Sequence, residues 1–533
     1  MYADNRTRYL LDFDKVLSDL HPSSPFGNRC KIEMRPYMPI DAEKLAQELQ
    51  RVEDMKGLIQ SHTEIIKQIK ANLKQIKDIY RSVERCISGG VLSLVELFEL
   101  KSLIFIMHSI NYYQHKLPWN MDESYKVYEL PEVMELLDPR HSGIRSFYIY
   151  DDYSDKLAQI RIMKTEKERA LETLKKIEIE HVEGLTSIKL KSTGEVTINK
   201  NQEDIKRRLD SCEYMHQTSE TFINLTYKIK PSAEMSCLIK DIGDLKGEEL
   251  IEEAKILQQI SGKLAEYGED IIRNIAAIGK FDFLCSKAEL ALSYKGVKPE
   301  LLQSRTLNIT KGINPIVQKE LNKSGKKYMP ISVELSEGVT LITGANMGGK
   351  TVSLKLIGLL ICMAQYGLLV PAEHMSFGIF DFIYISCGDE QSVDLGLSTF
   401  GAEIKGITEV IFKADQRGLV LMDELARGTN PKEGYAISCA IIDYLMKKSC
   451  ISIITSHLEG LDRDDIRHLL VKGLDDIDFF NIKDYEDISE YMDYSLVEVK
   501  GEAGIPQDAI KISRIMGMPE EIISYAERIM KGK

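Results

Sequence analysis

The sequence lacks the features that mark secreted, disulfide-rich and membrane-spanning proteins. Its nine cysteines are scattered over 533 residues, with no C-x-x-C pair and none of the paired spacing that a zinc site needs. The N-terminus MYADNRTRYLLDFDK has no apolar run after a basic start, which argues against a signal peptide. The longest apolar segment, 356–370, contains Gln365 and Tyr366 and is too short to span a bilayer, so we predict a buried helix there. We expect a soluble, cytoplasmic protein.

Basic residues are outnumbered, with 69 Lys and Arg against 82 Asp and Glu and a net charge of −13. This balance argues against a protein whose whole surface binds nucleic acid, because phosphate binding relies on Lys and Arg. A local basic patch remains compatible with it. At this length the chain exceeds one hydrophobic core, and we expect two to four domains.

The first 140 residues are predicted to be helical. Apolar residues recur every three or four positions from Asp41 to about Ile87, which predicts one long helix or two, with Gly57 as a weak interruption. Ser93-x-x-Glu96 forms a capping-box pattern before the next apolar helix. The helical pattern returns after about residue 260 and ends near Pro299.

Between about 155 and 260 the chain is strongly charged and helical at both ends. The stretch LTSIKLKSTGEVTINK interrupts it and predicts a β-hairpin with a Ser-Thr-Gly turn. Residues 161–230 contain 14 basic and 12 acidic residues, so this segment is slightly positive. It is either a lever arm or a solvated helical insertion without a ligand. Its basic residues are as compatible with a solvated face as with a phosphate track: Lys189, Lys191, Lys206, Arg207 and Arg208.

The C-terminal third has a different rhythm. From about Met329, the short apolar runs GVTLITG, GLVLMDE and CISIITSH alternate with helical segments. This pattern predicts a parallel sheet covered on both faces.

A glycine-rich motif follows the first of these strands. GANMGGKT matches G-x-x-x-x-G-K-[ST], in which backbone N–H groups surround phosphate oxygens, Lys350 reaches the terminal phosphates and the Thr351 hydroxyl binds Mg²⁺. The alternative is a glycine-rich turn without a nucleotide. The predicted nucleotide-binding residues of this loop are Gly344, Ala345, Asn346, Met347, Gly348, Gly349, Lys350 and Thr351.

Acidic and polar residues follow the other two strands. Asp423 and Glu424 end GLVLMDE, at the strand end where open α/β sheets bind ligands. Asp423 is predicted to hold Mg²⁺, and Glu424 to orient or deprotonate the attacking water. Both residues could instead be solvated caps. His457 ends CISIITSH, where a histidine can contact a γ-phosphate, although a lone histidine after a strand is usually structural.

In order and separation, the phosphate loop, LSTFGAE, LMDELARGTNPKEG and TSH resemble the ATPase domain of the MutS family, a branch of the ABC-type ATPases. The resemblance is dense from about Thr340 to His457 and extends into the tail GIPQDAIKISRIMGMPEEIISYAERIM. GDEQS and GGKTVSLK resemble especially the subfamily without N-terminal mismatch-recognition domains.

The fold that this resemblance implies is multidomain, α plus α/β. A helical lever or core domain carries an inserted coiled-coil-like clamp and precedes a P-loop ATPase domain with a C-terminal helix-turn-helix. The predicted segments are core at 1–150, clamp with a small β element at 151–260, core at 261–325, ATPase at 326–490 and helix-turn-helix at 491–533.

The resemblance also assigns roles to single residues. Ser398 and Thr399 of LSTF would contact the γ-phosphate bound by the other subunit, so the implied state is a dimer with ATP sites completed in trans. Asn346 belongs to the nucleotide loop and His457 to the γ-phosphate sensor. The implied cofactors are ATP and Mg²⁺.

Some features depart from the family pattern. Ala345 stands where the family usually has Pro, and Leu397 where mismatch-repair members often have Arg. No Phe-x-Glu occurs, and we expect neither an N-terminal mismatch-reading domain nor a nuclease domain after the tail. Direct mismatch recognition is therefore not expected.

Three functions are compatible with these features. The first is an ATPase whose paired clamps close on mismatched, branched or recombining DNA. The second is an ATP-driven factor that remodels a protein, such as an adenosylcobalamin-dependent aminomutase. The third is a nucleotide-binding module with little hydrolysis, against which the intact Lys350, Asp423, Glu424 and His457 argue.

Overall fold

The computed structural model describes residues 2–344, 349–387, 399–426, 429–456, 458, 460–474, 492–499, 510, 513–514 and 517–530. The chain divides into two compact units. Unit 1 contains residues 1–75, 112–126 and 276–533, and unit 2 contains residues 76–111 and 127–275. The five segments predicted from sequence form a finer division and stay a prediction.

Helices dominate the first 300 residues and alternate with strands afterwards. The α-helices are α1 Asn5–Leu10, α2 Phe13–Ser18, α3 Pro25–Glu33, α4 Ala42–Ser61, α5 Thr63–Leu73, α6 Tyr80–Ile87, α7 Leu94–Gln114, α8 Pro131–Leu137, α9 Asp155–Thr186, α10 Glu203–Ser211, α11 Ala233–Glu266, α12 Gly268–Tyr294, α13 Pro315–Lys323, α14 Lys350–Gln365, α15 Thr399–Ile411, α16 Pro431–Leu445 and α17 Glu520–Met530. Short 3₁₀ helices lie at Pro39–Asp41, Glu123–Tyr125 and Asp151–Tyr153.

The strands form three sheets. They are β1 Glu195–Asn199, β2 Met215–Glu220, β3 Asn224–Ile229, β4 Glu300–Leu302, β5 Thr306–Gly312, β6 Ile331–Ser336, β7 Gly338–Thr343, β8 His374–Gly378, β9 Phe382–Ser386, β10 Gly418–Met422, β11 Ile451–Thr455, β12 Arg467–Leu474 and β13 Met492–Glu498. The strand orders are β1-β3-β2, β4-β8-β5-β6 and β13-β12-β7-β11-β10-β9.

The six-stranded sheet of unit 1 positions the candidate site. Its strands from β12 to β9 pair in parallel, and β13 pairs antiparallel with β12. The three strands predicted from their apolar runs, β7, β11 and β10, are neighbours, and every residue in them is buried. The parallel arrangement is thereby confirmed. The carboxyl ends of these strands lie at one edge of the sheet.

Helix α14 follows β7 and packs into the core of unit 1. All of its residues from Leu356 to Gln365 are buried, which confirms the predicted buried helix up to Gln365. The helix ends there, and the remaining five residues of the apolar stretch, 366–370, are not helical. The Gln365 side chain satisfies its polar atoms by donating to the backbone oxygens of Tyr37 and Phe380 and accepting from the Phe380 N–H. Such pairing removes most of the cost of burying an amide.

The N-terminal helices differ in number from the prediction. The chain from Asp41 to Ile87 forms α4, α5 and α6 instead of one or two helices. The first break falls at His62 and not at Gly57, which is accommodated inside α4. A glycine weakens a helix by only about 1 kcal/mol relative to alanine, so burial of Leu49, Val52 and Met55 on one face holds the helix together.

In unit 2, helices α9 and α11 pack side by side and are joined by ion pairs. Arg161 on α9 donates to Glu249 and Glu253 on α11 at 2.9 and 2.8 Å, and to Asp151 at 2.6 Å. Beyond these helices, the three-stranded sheet encloses a small apolar core that includes Val182, Leu209 and Tyr227.

The capping box before α7 is confirmed. The Ser93 N–H donates to Glu96 Oε2 at 2.9 Å, and the Glu96 N–H donates to Ser93 Oγ at 3.4 Å. Arg85 and Ser82 also donate to this carboxylate. These hydrogen bonds outweigh partial burial and lower the pKa of Glu96 to about 2.

The β-hairpin predicted at LTSIKLKSTGEVTINK is wrong in its strands, although the predicted turn forms, with the Gly194 N–H donating to the Lys191 carbonyl oxygen at 2.8 Å. Only β1 forms a strand there, and its antiparallel partner is β3, about 30 residues downstream, with Ile198 opposite Leu225. The residues before β1 are held differently, since the Leu190 N–H donates to Glu183 Oε1 on α9. A partner strand this far along the same chain leaves no local signal in the sequence.

The start of the predicted helix-turn-helix at 491–533 also differs from the prediction. Met492–Glu498 is the edge strand β13, paired with β12, and α17 occupies Glu520–Met530. Residues 475–491 and most of 500–516 lie outside the described residues. No described helix combines the length and the apolar character that crossing a membrane requires.

Candidate functional site

The loop after β7 ends at a position that only glycine can occupy without strain. Gly349, which caps α14, has φ = 84°, and a Cβ there would lie 2.5 Å from Cδ1 of Tyr494 on β13. A side chain at this position would be strained and would clash. Four predicted loop residues, Ala345, Asn346, Met347 and Gly348, lie outside the described residues.

Lys350 begins α14 and is buried, with 5% of its surface exposed. Its Nζ donates to the Gly344 carbonyl oxygen at 2.7 Å, so the side chain folds back across the loop. Burial lowers the pKa of the Lys350 ammonium, while the carboxylates of Glu424 and Asp423 act in the opposite direction. The structure therefore places one cation between the glycine loop and the two acids at the end of β10.

Asp423 links the end of β10 to the ends of β9 and β11 and to the first turn of α14. It follows β10, is 7% exposed, and accepts hydrogen bonds from the Thr351 hydroxyl at 2.5 Å and the Thr455 hydroxyl at 2.6 Å, one on each carboxylate oxygen. Its own N–H donates to the Ser386 carbonyl oxygen at the end of β9. The predicted metal ligands Thr351 and Asp423 are thus in direct contact.

Glu424 has an unusual backbone conformation. Its φ is 53°, in the left-handed region, and Ala426 follows with φ = 61°. Such conformations cost a non-glycine residue on the order of 1 kcal/mol each. The Glu424 N–H donates to the Thr455 hydroxyl at 2.9 Å. Since Thr455 is at the same time the donor to Asp423, one hydroxyl fixes both acids.

Three residues that sequence analysis did not assign to the site contribute to it. The first is Thr455, the last residue of β11, which bonds to Asp423 and Glu424. Glu403 on α15 accepts from the Ala426 N–H at 3.1 Å, and burial raises the pKa of its carboxyl group. Glu403 belongs to LSTFGAE, so its motif was visible although its role was not.

His468 on β12 is the third. Its Nε2 lies 2.6 Å from the hydroxyl of Thr343, the last residue of β7 before the glycine loop, and burial lowers the pKa of its imidazole. A neutral imidazole is therefore expected near pH 7. Nothing in the local sequence indicated this contact, because β12 pairs with β7 across more than 100 residues.

Several predicted residues are not placed. Ser398, His457 and residues 388–397 lie outside the described residues. Thr399 is the first residue of α15. Ser456, next to the predicted His457, donates its N–H to the Ile342 carbonyl oxygen, and its hydroxyl accepts from the Leu458 N–H. The end of β11 and Ser456 therefore lie at the same edge of the sheet.

Among the described residues, no group of three or more His, Cys, Asp or Glu side chains could hold a metal ion by itself. A hydroxyl and a carboxylate in contact, as in Thr351 and Asp423, suit an ion that keeps most of its water and takes few protein ligands, as Mg²⁺ does. The arrangement can present one cation, one carboxylate–hydroxyl pair and a second carboxylate to a phosphate-bearing molecule.

Comparison with known proteins gives consistent matches. The family described as MutS domain V matches residues 340–532. Proteins described as Endonuclease MutS2 are similar over most of the chain. That of Staphylococcus carnosus is 29% identical over 472 residues, covering 86% of this chain and 58% of the relative, and that of Staphylococcus saprophyticus is 29% identical over 471 residues, covering 85% and 57%.

A third relative, from Staphylococcus aureus, is 30% identical over 405 residues, which cover 73% of this chain and 54% of the relative. The chain therefore spans little more than half the length of these relatives. None of these three matches supports the alternative of a factor that remodels a metabolic enzyme. The motifs, the contacts that join them and the similarity over most of the chain together show that this is a protein of the MutS family.

Proposed function

We propose that the chain binds and hydrolyses ATP at the edge of the six-stranded sheet. The observation that carries the proposal is the position of Asp423, which accepts from Thr351 of the glycine loop and from Thr455 of the neighbouring strand end. Phosphate loops and acidic strand ends occur separately in many proteins. Their direct contact is the arrangement that P-loop ATPases use to hold a nucleotide and its metal ion.

Phosphate binding would fall to the glycine loop and Lys350. The N-terminus of α14 directs unpaired N–H groups and the positive end of the helix dipole towards the loop. Lys350 now donates to the Gly344 carbonyl oxygen and would exchange this contact for phosphate oxygens when ATP binds. Its burial makes this exchange favourable, since a buried ammonium gains more from an anionic partner than an exposed one.

Thr351 and Asp423 would hold Mg²⁺, through the hydroxyl and carboxylate oxygens that are now bonded to each other. When bound, the ion would neutralise negative charge on the phosphates. Glu424 would orient or deprotonate the attacking water, and its backbone is held for this task by Thr455. His457 would contact the γ-phosphate.

The proposed active unit is a homodimer. Ser398 and Thr399 would be presented to the nucleotide of the other subunit, where hydroxyl groups and the N-terminus of α15 suit an anionic ligand. Each ATP site would then be incomplete in a monomer.

The proposed substrate of the assembly is double-stranded or branched DNA, gripped by unit 2. The relatives carry the word endonuclease in their names, and some basic side chains near the three-stranded sheet lack a carboxylate within ion-pair distance in the described part of the chain. These are Lys189, Lys191, Lys206 and Arg208. Such side chains can contact phosphates without first breaking an ion pair.

Steady-state ATP turnover at about 0.1 M salt, alone and with homoduplex or four-way-junction DNA, tests the proposal, because exposed charges are only partly screened under these conditions. We expect turnover that depends on Mg²⁺, is lost in Glu424→Gln, and is stimulated by DNA in a salt-dependent manner. Turnover that is present but indifferent to DNA would contradict the proposed substrate. Absence of Mg²⁺-dependent turnover would contradict the ATPase itself.

A further inference from the structure

A cavity in unit 1 lies beside the C-terminal end of α14, where its lining residue Tyr37 is hydrogen-bonded to Gln365. This is the opposite end of the helix from Lys350. The volume of the cavity is about 300 Å³, at the lower limit of typical small-molecule sites. The 16 residues of α14 separate it from the glycine loop by roughly 24 Å along the helix axis. The cavity is therefore separate in space from the proposed ATP site.

The charge of the lining residues is strongly positive. Four basic side chains, Arg35, Arg51, Lys280 and Lys287, line the cavity with one carboxylate, Glu48. Basic side chains outnumber acidic ones in this cavity although they are the minority in the whole chain. An excess of this kind in a concave site attracts anions.

Two of the four cations already have partners. Lys287 Nζ lies 2.7 Å from Glu48 Oε1, and both side chains are almost fully buried. Arg51 Nη2 donates to Asp122 at 3.0 Å. Lys287 lowers the pKa of the Glu48 carboxyl group against the opposing effect of burial, so this carboxylate stays ionised near pH 7. The Lys287–Glu48 ion pair therefore forms a fixed polar part of the cavity wall, and neither side chain is free to bind a ligand.

The other two cations are not neutralised. Arg35 donates to the carbonyl oxygens of Ile32 and Met34 at 3.4 and 3.1 Å, and no carboxylate in the described part of the chain lies within ion-pair distance of it. Lys280, which is exposed at the mouth of the cavity, likewise has no carboxylate within ion-pair distance in the described part of the chain. Two cations without a carboxylate partner match the two negative charges of a phosphate monoester better than the single charge of a carboxylate.

The walls between these charges are aromatic. Tyr37, Tyr125 and Phe283 line the cavity, and the Arg51 guanidinium lies over the Tyr125 ring with its Cζ 5.6 Å from the centroid. Burial raises the pKa of both tyrosines, so their hydroxyl groups stay neutral and do not repel an anion. The Lys287 ammonium lies over the Phe283 ring in the same way, 4.8 Å from its centroid. A planar ring can therefore pack against Tyr37 and against the ring edges of Tyr125 and Phe283.

We propose that this cavity binds a small molecule with a phosphate group on a planar ring system, the chemical class of the nucleoside monophosphates. The phosphate lies against Arg35 and Lys280 at the mouth, and the ring lies against the tyrosines and Phe283. The cavity volume accommodates one such molecule.

Isothermal titration calorimetry with adenosine, guanosine, cytidine and uridine monophosphates tests the proposal, with inorganic phosphate as a second probe. The full chain is used as wild type and as Lys350→Ala, which removes the principal cation of the ATP site. We expect saturable 1:1 binding of at least one monophosphate in both proteins. Loss of a charged hydrogen bond in Lys280→Ala or Arg35→Ala should weaken binding about tenfold or more.

Lys327→Ala is the matched control, because this lysine is exposed in unit 1 and does not line the cavity. It should bind as the wild type does. Binding that disappears in Lys350→Ala, or that is unchanged in Lys280→Ala and Arg35→Ala, would overturn the proposal. So would the absence of saturable heat for all four monophosphates, or equally tight binding of inorganic phosphate. None of these outcomes affects the proposed ATPase activity.

Discussion

The Thr351 hydroxyl lies 2.5 Å from Oδ2 of Asp423 and joins the first turn of α14 to the end of β10. The two residues are 72 positions apart in sequence, and β11 lies between their strands in the sheet. Their contact makes the glycine loop and the acidic strand end one site. The variants below test separate parts of this arrangement and of the helical regions.

Asp423→Asn should abolish most Mg²⁺-dependent ATP turnover. The substitution keeps the size of the side chain but removes the negative charge that would hold the ion, and loss of such a metal ligand lowers activity by about 100-fold or more. The measurement is turnover as a function of Mg²⁺ concentration. Asp415→Asn is the control, since Asp415 pairs with Lys448 on the surface. Equal loss in both variants would contradict a specific role for Asp423.

Thr455→Val should lower both stability and turnover. The change preserves the shape but removes the hydroxyl that donates to Asp423 and accepts from the Glu424 N–H. Leaving buried groups unpaired should cost about 1–3 kcal/mol in the free energy of unfolding. Urea denaturation followed by fluorescence, together with ATP turnover, measures the effect.

Thr408→Val provides the comparison for this variant. The Thr408 hydroxyl is exposed on α15 and donates to the Ile404 carbonyl oxygen of its own helix. Its loss should change stability by less than about 0.5 kcal/mol. If Thr455→Val were as mild as Thr408→Val, the proposed double role of Thr455 would be wrong.

The capping box of α7 should make the start of this helix sensitive to acid. The pKa of Glu96 is lowered to about 2 in the folded state, whereas an unfolded glutamate titrates near about 4.3. A lowered folded pKa stabilises the folded state above the unfolded pKa, and this contribution falls as the pH drops through about 4 towards about 2. Hydrogen exchange of the Ser93 amide, which donates to Glu96, reports it.

In the wild type, protection of the Ser93 amide should therefore decrease over this pH range, while Glu96→Gln, whose neutral amide oxygen can still accept from this N–H, should show protection that does not depend on the titration of residue 96. Glu99→Gln on the same helix is the control, because Glu99 is not part of the cap. A wild-type profile that is flat between about pH 5 and pH 2 would contradict the assignment.

Lys101→Met should strongly destabilise unit 2. Lys101 is fully buried on α7, and its ammonium lies 3.2 Å from Oδ1 of Asp138, which is also buried. Removing one partner leaves a buried carboxylate without its counter-charge, which costs about 3–5 kcal/mol. The measurement is urea denaturation of the full chain, with limited proteolysis to locate the unfolding.

A second substitution separates loss of charge pairing from loss of packing. Asp138→Asn in the Lys101→Met background removes the uncompensated charge and should recover part of the stability. The asparagine oxygen can still accept from the Gly143 N–H, and the Ser142 hydroxyl, which now donates to the other carboxylate oxygen, can instead accept from the amide N–H. No recovery in the double variant would show that packing of the lysine stem dominates.

The parts of the fold that depend on local pattern could be predicted from the sequence. β7, β10 and β11 were visible as apolar runs because each is buried on both faces, and the capping box was visible because its partners are three residues apart. The hairpin error at β1 has the opposite origin, since the turn at Ser192 to Gly194 forms but the partner strand of β1 lies far along the chain.

The candidate site shows the same division. The motif identified Lys350, Thr351 and Asp423, because their residue types and spacing report their chemistry. Thr455 and His468 could not be assigned, because their contacts to Asp423 and Thr343 arise from the order in which the strands assemble. The order of the strands along the chain does not reveal their order in the sheet, in which β11 lies between β7 and β10.

The burial of α14 has a mechanical consequence. The helix is closely packed by its neighbours and therefore has no loosely packed side towards which it could bend. A shift of the first turn, when Lys350 exchanges the Gly344 oxygen for another partner, would move the helix as a rod. Gln365, at the other end of the helix, is hydrogen-bonded to Tyr37 through both its backbone and its side chain. The displacement of the helix would therefore be transmitted to the segment between α3 and α4.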